Sequence, residues 1–447
     1  MKRFPAQHPM RGQRGAALLA ALCFMLAMAM ALGTYVTLCY RTLQMSTRNM
    51  QGTRSIELAE AGMEEALLAL NSSSWSGWTI NGTTASKTIT GFAFDRGTTG
   101  QISISITNYA GGGTRTVSVT GTTTDPVSGA QISRTLSSTS AQAPLLLNAI
   151  AATTNTVSFT SAGTIDSYDS AKGDYTAAVQ TPTYNYSAIV ASTKESPTAA
   201  SVQLVNAQVK GYAASNYSGG PSYSTSAKIV GPTTPGTTKI DTSRISSSPY
   251  QPVFEIKTPA SSMSDVTLLN PTTGSTTTIG TAGATAATVY RCSALNMTGT
   301  TKIIVDGPVK LVVSGTLYIG LSGGTPSIEI TSNGTLEIFA LSDIAIYGNG
   351  INNLTKDPAR CVLYSTNALT APDMNTTVAF YGVIYTPYGD FKVWSNNAIY
   401  GALVARKVVF SGAAPVFHYD LNLRTKVFSG VDTPYAVSDW HETTNGT

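Results

Sequence analysis

The chain has 447 residues, enough for two or three domains. Only 12% of its residues are charged, and Lys2, Arg3, Arg11 and Arg14 account for the whole net charge of +4. The neutral remainder lacks the electrostatic footprint of a nucleic-acid-binding protein, and the low charge departs from the quarter or so usual in cytosolic enzymes. Three histidines leave little material for a histidine metal site, while 42% hydrophobic residues and 40 glycines point to a packed core rich in turns and β-structure.

No charged residue lies between Arg14 and Arg41. Residues 16–40 form an apolar run long enough, as a helix, to cross a hydrocarbon core of about 30 Å. The basic cluster before it places the N-terminus in the cytoplasm and the bulk of the chain outside. A cleaved secretory signal, a permanent anchor and a leader cut before the apolar stretch are the three readings of such a segment. The third fits best. Gly15 stands at the border between polar and apolar residues, and the apolar run continues into a helical pattern in which Ile56, Ala59, Met63, Leu67 and Leu70 recur at three- and four-residue steps. The spacing predicts one helix over 16–70, roughly 80 Å long, ended by Asn71-Ser72-Ser73-Ser74.

The stretch RGQRGAALLAALCFMLAMAM, followed by Leu58-Ala59-Glu60-Ala61-Gly62-Met63-Glu64-Glu65-Ala66-Leu67, resembles the N-terminus of type IV pilin-like proteins, and among them the PilX-type minor pilins. The resemblance covers residues 11–70. It implies a leader over 1–15, cleavage by a prepilin peptidase after Gly15, methylation of the new N-terminal amine of Ala16, and other pilin subunits as partners. It also implies residence in the inner membrane as a single-pass protein before assembly at the cell surface. Many pilins carry Glu as the fifth mature residue, where this chain has Ala20. Without that carboxylate the helix cannot pair with a neighbour's amine in an apolar filament core, which suits a low-abundance subunit better than a repeating one.

Over 75–140 the pattern changes to alternation. QISISITN at 101–108, TRTVSVT at 114–120 and QISRTLSS at 131–138 read as three antiparallel strands, with turns at 110–113 and 123–126. A small antiparallel head after a long helix makes this part α+β.

Residues 145–428 are too many for such a head. Residues 314–319 recur as 333–338, and Tyr381-Gly382-Val383-Ile384 recurs as Tyr400-Gly401-Ala402-Leu403, both at a spacing of 19. Short β-branched runs at this period, with glycine turns, predict a right-handed β-helix (solenoid) in which stacked coils bury a common core; a β-sandwich is the alternative. In the irregular stretch 168–250, residues 202–209 still look like a coil and the rest reads as loops inserted between coils, with exposed tyrosines such as Tyr175, Tyr212 and Tyr223 that suit a carbohydrate or surface ligand. Residues 429–447 read as a C-terminal tail. Large surface proteins that join a pilin-like N-terminus to a β-helix often carry an HYD-like sequence after the last coil, which His418-Tyr419-Asp420 resembles; this implies a structural role closing the end of the solenoid.

No catalytic set emerges. Outside the leader the candidate histidines are His418 and His441; His418 has Asp420 nearby in sequence, but alternation along a strand only puts the two on one face, and no nucleophile elbow, dinucleotide fingerprint, phosphate loop or calcium loop occurs. The acids Asp306, Glu329, Glu337, Asp343, Asp357, Asp373 and Asp390 are spread singly, unlike the paired carboxylates of glycan-cleaving enzymes. No catalytic residue, metal or cofactor is therefore expected. Cys23 and Cys39 lie in the apolar helix; Cys292 and Cys361 are the candidates for a disulfide in an oxidising compartment. The sequence thus predicts a pilin-like filament subunit with a large surface module for assembly priming or adhesion. The alternative is a membrane-anchored, extracellular polysaccharide-binding or polysaccharide-degrading β-helix protein.

Overall fold

A computed structural model describes residues 13–109, 114–175, 182–249, 253–259, 267–269, 271–366, 373–394, 397–431 and 433–443. It shows one long N-terminal helix followed by a large strand-rich region, in two compact units: residues 1–142 with 434–447, and residues 143–433.

In the first unit the helix Gln13–Ser72 is unbroken over 60 residues, about 90 Å at 1.5 Å per residue. Its two halves differ. Leu18, Leu22, Phe24, Leu26, Leu32 and Val36 are all more than half exposed, and the segment from Ala16 is apolar and long enough to cross a membrane. From Leu58 onward the same helix has a buried face, where Leu58, Ala59, Met63, Ala66 and Leu70 pack on Ile102, Ile104, Ile106, Val117, Val119 and Leu136 of an antiparallel sheet.

Small residues set the closeness of that packing. A Cβ on Gly62 would lie 2.5 Å from both Ile102 Cγ2 and Val119 Cγ1, and one on Gly121 only 2.0 Å from the Ser55 carbonyl. Ser55, buried in the contact, lies 3.0 Å from Thr123 Oγ1 and donates to the Ile132 carbonyl at 2.8 Å. The AEAG segment is thus the strip where helix backbone meets sheet.

The sheet has six strands, not three. In spatial order they are Thr79–Asn81, Thr84–Ala93, Thr99–Thr107, Arg115–Thr124, Gln131–Gln142 and Tyr435–Thr443, each antiparallel to the next. Thr84–Ala93 lacks a clean alternation of buried and exposed positions, so its pattern does not announce a strand. The expected turn at 110–113 lies outside the described residues. The expected C-terminal tail is corrected: Tyr435 pairs with Gln142, and Arg115 sits 4.4 Å from the Tyr435 ring centroid. The second unit is therefore an insertion between two neighbouring strands of one sheet.

Every pairing between named strands of the second unit is parallel, which the antiparallel sandwich alternative does not allow. The chain visits three ladders in turn. Thr276–Ile279, Lys302–Val305, Ser327–Ile330 and Gly350–Asn353 form the first. Thr288–Cys292, Pro308–Val313, Thr335–Ala340 and Cys361–Ser365 form the second. Leu295–Gly299, Leu317–Gly324, Ile344–Gly348 and Asp373–Thr376 form the third. The long strands Phe380–Val393 and Ile399–Phe410 then pair side by side over most of their length.

The order of stacking departs from chain order. Ile399–Phe410 pairs onward with Ile150–Ala152 and Val157–Phe159, and Val416–Asp420 pairs with Gly163–Tyr168. The first circuit of the unit thus stacks on its last, and Ala188–Ser192, Val202–Leu204 and Ala207–Ser215 continue the ladders beyond it. Six strands close a parallel ring across this seam: Ile399–Phe410, Ile150–Ala152, Ala188–Ser192, Ala207–Ser215, Gly163–Tyr168 and Val416–Asp420. Within 168–250, the coil expected at 202–209 is present as Val202–Leu204 and Ala207–Ser215, while the rest, expected as inserted loops, also carries paired strands at Ala188–Ser192 and Lys228–Val230. One in-register column, Leu311, Ile338, Leu363, Ile384, Leu403, Ile150 and Val190, runs through the seam with no exposed surface; full burial is worth about 1.5–3 kcal/mol for each such side chain.

Of the two sequence repeats, one is a ladder period. Tyr381 pairs with Tyr400 and Gly382 with Gly401. The other is not: Leu317 pairs with Ile344 in one ladder, while Leu336 pairs with Val309 and Cys361 in another. The expected Cys292–Cys361 disulfide is also corrected, since both are buried free thiols. They stand on strands three ladder steps apart, about 14 Å at 4.8 Å per step, twice the Cα reach of a disulfide. Burial pushes the two thiols up to about 11 and about 12, so they are inert at neutral pH.

Two glycine substitutions test the docking of the helix. Gly52 faces open contact, with Arg134 no nearer than 3.7 Å to an added Cβ. Gly52→Ala gains up to about 1 kcal/mol of helix stability, whereas Gly62→Ala loses about 1–3 kcal/mol to overpacking in spite of the same propensity gain. Hydrogen exchange of the Thr99–Thr107 amides reads both, slower in the first variant and faster in the second.

Candidate functional site

The seam is where chemistry-bearing side chains gather. The in-register pairs Tyr381–Tyr400, Tyr400–His418 and His418–Asp166 line up four side chains across four neighbouring strands. The Tyr381 and Tyr400 rings stack at 4.2 Å, and the His418 ring centroid lies 4.6 Å from Tyr400 and 3.7 Å from Tyr175. His418 Nδ1 is 2.5 Å from Asp166 Oδ1. A carboxylate only accepts, so Nδ1 carries the proton. Asp166 also accepts from the Tyr175 hydroxyl at 2.7 Å, and Lys210 Nζ stands 3.8 Å away. The Asp166 and His418 side chains are 2% and 8% exposed.

The phenols are held protonated. Burial, then the hydrogen bond to Asp166, pushes Tyr175 well above its ordinary value, and burial pushes Tyr400 up to about 12. Tyr168, edge-on to both rings, is raised further still, chiefly by burial, and its buried hydroxyl has no partner among the described residues.

The neighbouring residues of the same strand fasten the seam. Tyr419 donates to the Leu146 carbonyl at 2.6 Å and accepts from Arg424 Nε at 3.2 Å. Asp420, with no exposed surface, accepts from Ser170 N at 3.0 Å, Ser170 Oγ at 2.7 Å and Asn422 N at 3.0 Å. Burial raises the Asp420 carboxyl above its usual range, although those three donors pull it down. The expected end position of His418-Tyr419-Asp420 is therefore corrected: the strand has a parallel neighbour on each side and lies inside the stack. The imidazole's partner is Asp166 rather than Asp420. Asp166 is 252 residues away, so proximity in sequence could not disclose it; the period of 19 does lead from Tyr381 to Tyr400 and close to His418.

The other sequence-derived positions are not members of this cluster. Gly15 and Ala16 fall in the first turns of the helix Gln13–Ser72, and Ala16 and Ala20 are exposed. His441 is exposed in the head sheet, with Asp439 Oδ1 3.9 Å away. Of the tyrosines expected as exposed, Tyr212 and Tyr223 are, while Tyr175 is half-buried in the cluster. Four of the scattered acids are individually engaged: Glu329 by Lys302 at 2.7 Å, Asp390 by Arg406 at 2.7 Å, Asp306 by Thr331 at 2.7 Å, and Asp373 by Tyr347 and Trp394 at 3.2 and 3.3 Å. No group of three His, Cys, Asp or Glu side chains suited to a metal ion occurs among the described residues.

Residues 255–426 match a protein family described as a domain of unknown function (DUF7305). Comparison with curated proteins finds no match. Among solved structures, the chain is similar to the competence-associated pilin ComZ of Thermus thermophilus. That alignment has 10% identity and covers 88% of this chain and 98% of the other, with a TM-score of 0.20.

Asp420 gives a pH-dependent prediction. Its folded value lies above the unfolded one, so the folded state binds more protons and stability falls as pH rises through that window. Asp420→Asn keeps an acceptor for the Ser170 and Asn422 amides and removes the buried charge. It melts higher than the unsubstituted protein at pH 7, and the difference shrinks as the pH is lowered toward about 4. Asp420→Ala leaves buried donors unpaired and melts lower at every pH. Thermal melts of the full chain across that range measure all three.

Proposed function

We propose that the chain is a minor, pilin-like subunit of a type IV pilus or related filament, bearing a large β-helical module. A prepilin peptidase cuts after Gly15 and the new N-terminus at Ala16 is methylated. The helix first holds the protein in the inner membrane, N-terminus cytoplasmic. It is then extracted and packs against the helices of other subunits. The single observation that carries this reading is the two-part helix Gln13–Ser72. Its apolar first half is exposed and has no packing partner among the described residues, and its second half is built into an antiparallel head. Uncovered apolar surface on this scale needs lipid or other helices around it.

Lipid alone would satisfy an anchor, but an anchor has no need to continue unbroken under a globular head. Ala20 puts no carboxylate into the apolar helix, so the subunit enters a filament without contributing the charge pair. That suits an initiating or decorating position better than a repeating one.

The three parallel ladders of residues 143–433 support a β-helix whose outer faces project from the filament surface for adhesion or assembly priming. Carbohydrate is the ligand class that best suits its neutral, hydroxyl- and amide-rich surface. The engagement of Glu329, Asp390, Asp306 and Asp373 by separate partners supports a binding module rather than an enzyme.

The test is the mature N-terminus, read by intact mass and N-terminal peptide mass spectrometry in hosts with and without the prepilin peptidase. A chain beginning at N-methylated Ala16, only where the peptidase is present, is expected. A chain beginning at Met1, or one cut within the apolar run near Met30, overturns the reading.

A further inference from the structure

The stacking of the first circuit on the last also builds a shallow trough along the strands Val416–Asp420, Gly163–Tyr168, Ala207–Ser215 and Lys228–Val230. It encloses about 240 Å³, and its wall is contributed by four neighbouring strands. Val416 stands at one end. Thr164, Gln208 and Lys228 follow in strict register, since Val416 pairs with Thr164, Thr164 with Gln208 and Gln208 with Lys228. A side chain is therefore presented every ladder step, about 4.8 Å. The volume is below the roughly 300 Å³ of pockets that enclose a small molecule. An open trough with repeating contacts suits one stretch of a linear chain laid along the stack.

The chemistry of the wall selects the chain. Thr164, Gln208 and Lys228 make no side-chain hydrogen bond and no ion pair among the described residues. Their contrast is Lys210, two residues along, which stands beside Asp166. Asn206 accepts from Ser224 Oγ through its carboxamide oxygen at 2.6 Å, leaving its Nδ2 protons for another acceptor. Hydroxyl, amide and ammonium groups with unused capacity match the hydroxyls of sugars. The single cation, with no acid in the trough, matches a carboxylate. A nucleic-acid strand requires several cations and aromatic rings for base stacking, and the trough has one cation and no ring.

We infer that this trough is a binding site for an acidic polysaccharide, with Lys228 taking the carboxylate of one sugar while Gln208 and Thr164 hydrogen-bond the next along the chain. This deepens the reading of the module as a carbohydrate-binding surface. It does not depend on leader cleavage or filament assembly, so loss of either result leaves the other standing.

The experiment is isothermal titration of the full chain in detergent with oligogalacturonate, a neutral dextran oligomer and oligothymidylate. Oligogalacturonate is expected to bind, with Lys228→Ala and Gln208→Ala each weakening it at least tenfold. Lys310→Ala, which removes the partner of Glu337 on a different ladder, leaves binding unchanged. Absence of oligogalacturonate binding overturns the inference. So does binding unaffected by the Lys228 and Gln208 substitutions. Equal binding of dextran overturns the assignment of charge, and equal binding of oligothymidylate overturns the assignment to sugar.

Discussion

The antiparallel pairing of Gln131–Gln142 with Tyr435–Thr443 is the contact on which the organisation of the chain depends. It makes residues 143–433 an insertion whose two ends are held at one β-pair, the arrangement under which inserted domains are tolerated. A unit that starts and finishes at one place must return its chain to its origin. Here that return is made inside the ladders: Gly163–Tyr168, early in the unit, is paired with Val416–Asp420, almost its last strand. The permuted stack, the closed ring of six strands and the trough all follow from that one return.

Backbone pairing alone does not specify such a seam, because parallel strands of similar composition can slip against one another. Side chains pin it. Inside, the buried column runs from Leu403 to Ile150 without interruption. Outside, His418 and Asp166 face each other across the seam, Tyr175 closes over both, and Asp420 ties the last strand to Ser170. A buried histidine–aspartate pair is a costly way to gain stability, but it penalises any register that separates its members. The same residues that resemble catalytic machinery thus serve to fix which circuits are neighbours.

Much of this was legible in the sequence. The helix and its apolar first half follow from the length of the apolar run, Ala59, Met63 and Leu70 of its buried face follow from periodicity, and the β-branched runs 302–305 and 344–347 fall on strands. The repeat Tyr381-Gly382 to Tyr400-Gly401 marks a real ladder step. The repeat of 314–319 at 333–338 does not, because the chain meets glycine turns at corresponding corners of different ladders and short motifs at corners look alike. The head was under-read for two physical reasons: Thr84–Ala93 has both faces partly exposed and so no alternation, and Tyr435–Thr443 reaches its sheet only after a long insertion. The permuted order was illegible, since partners such as His418 and Asp166 meet only through the return of the chain.

The central claim is that the uncovered apolar half of the helix is satisfied first by lipid and then by other helices in a filament. The most direct measurement is the location of the chain in the host. Filaments are sheared from cells, separated from membranes and washed, and peptides from residues 143–433 are quantified by mass spectrometry in the filament and inner-membrane fractions. The account predicts peptides of this chain in the sheared filaments, at low abundance, and only in the membrane when filament assembly is blocked. Retention entirely in the membrane of cells that are assembling filaments would contradict it and leave a surface protein on a permanent anchor.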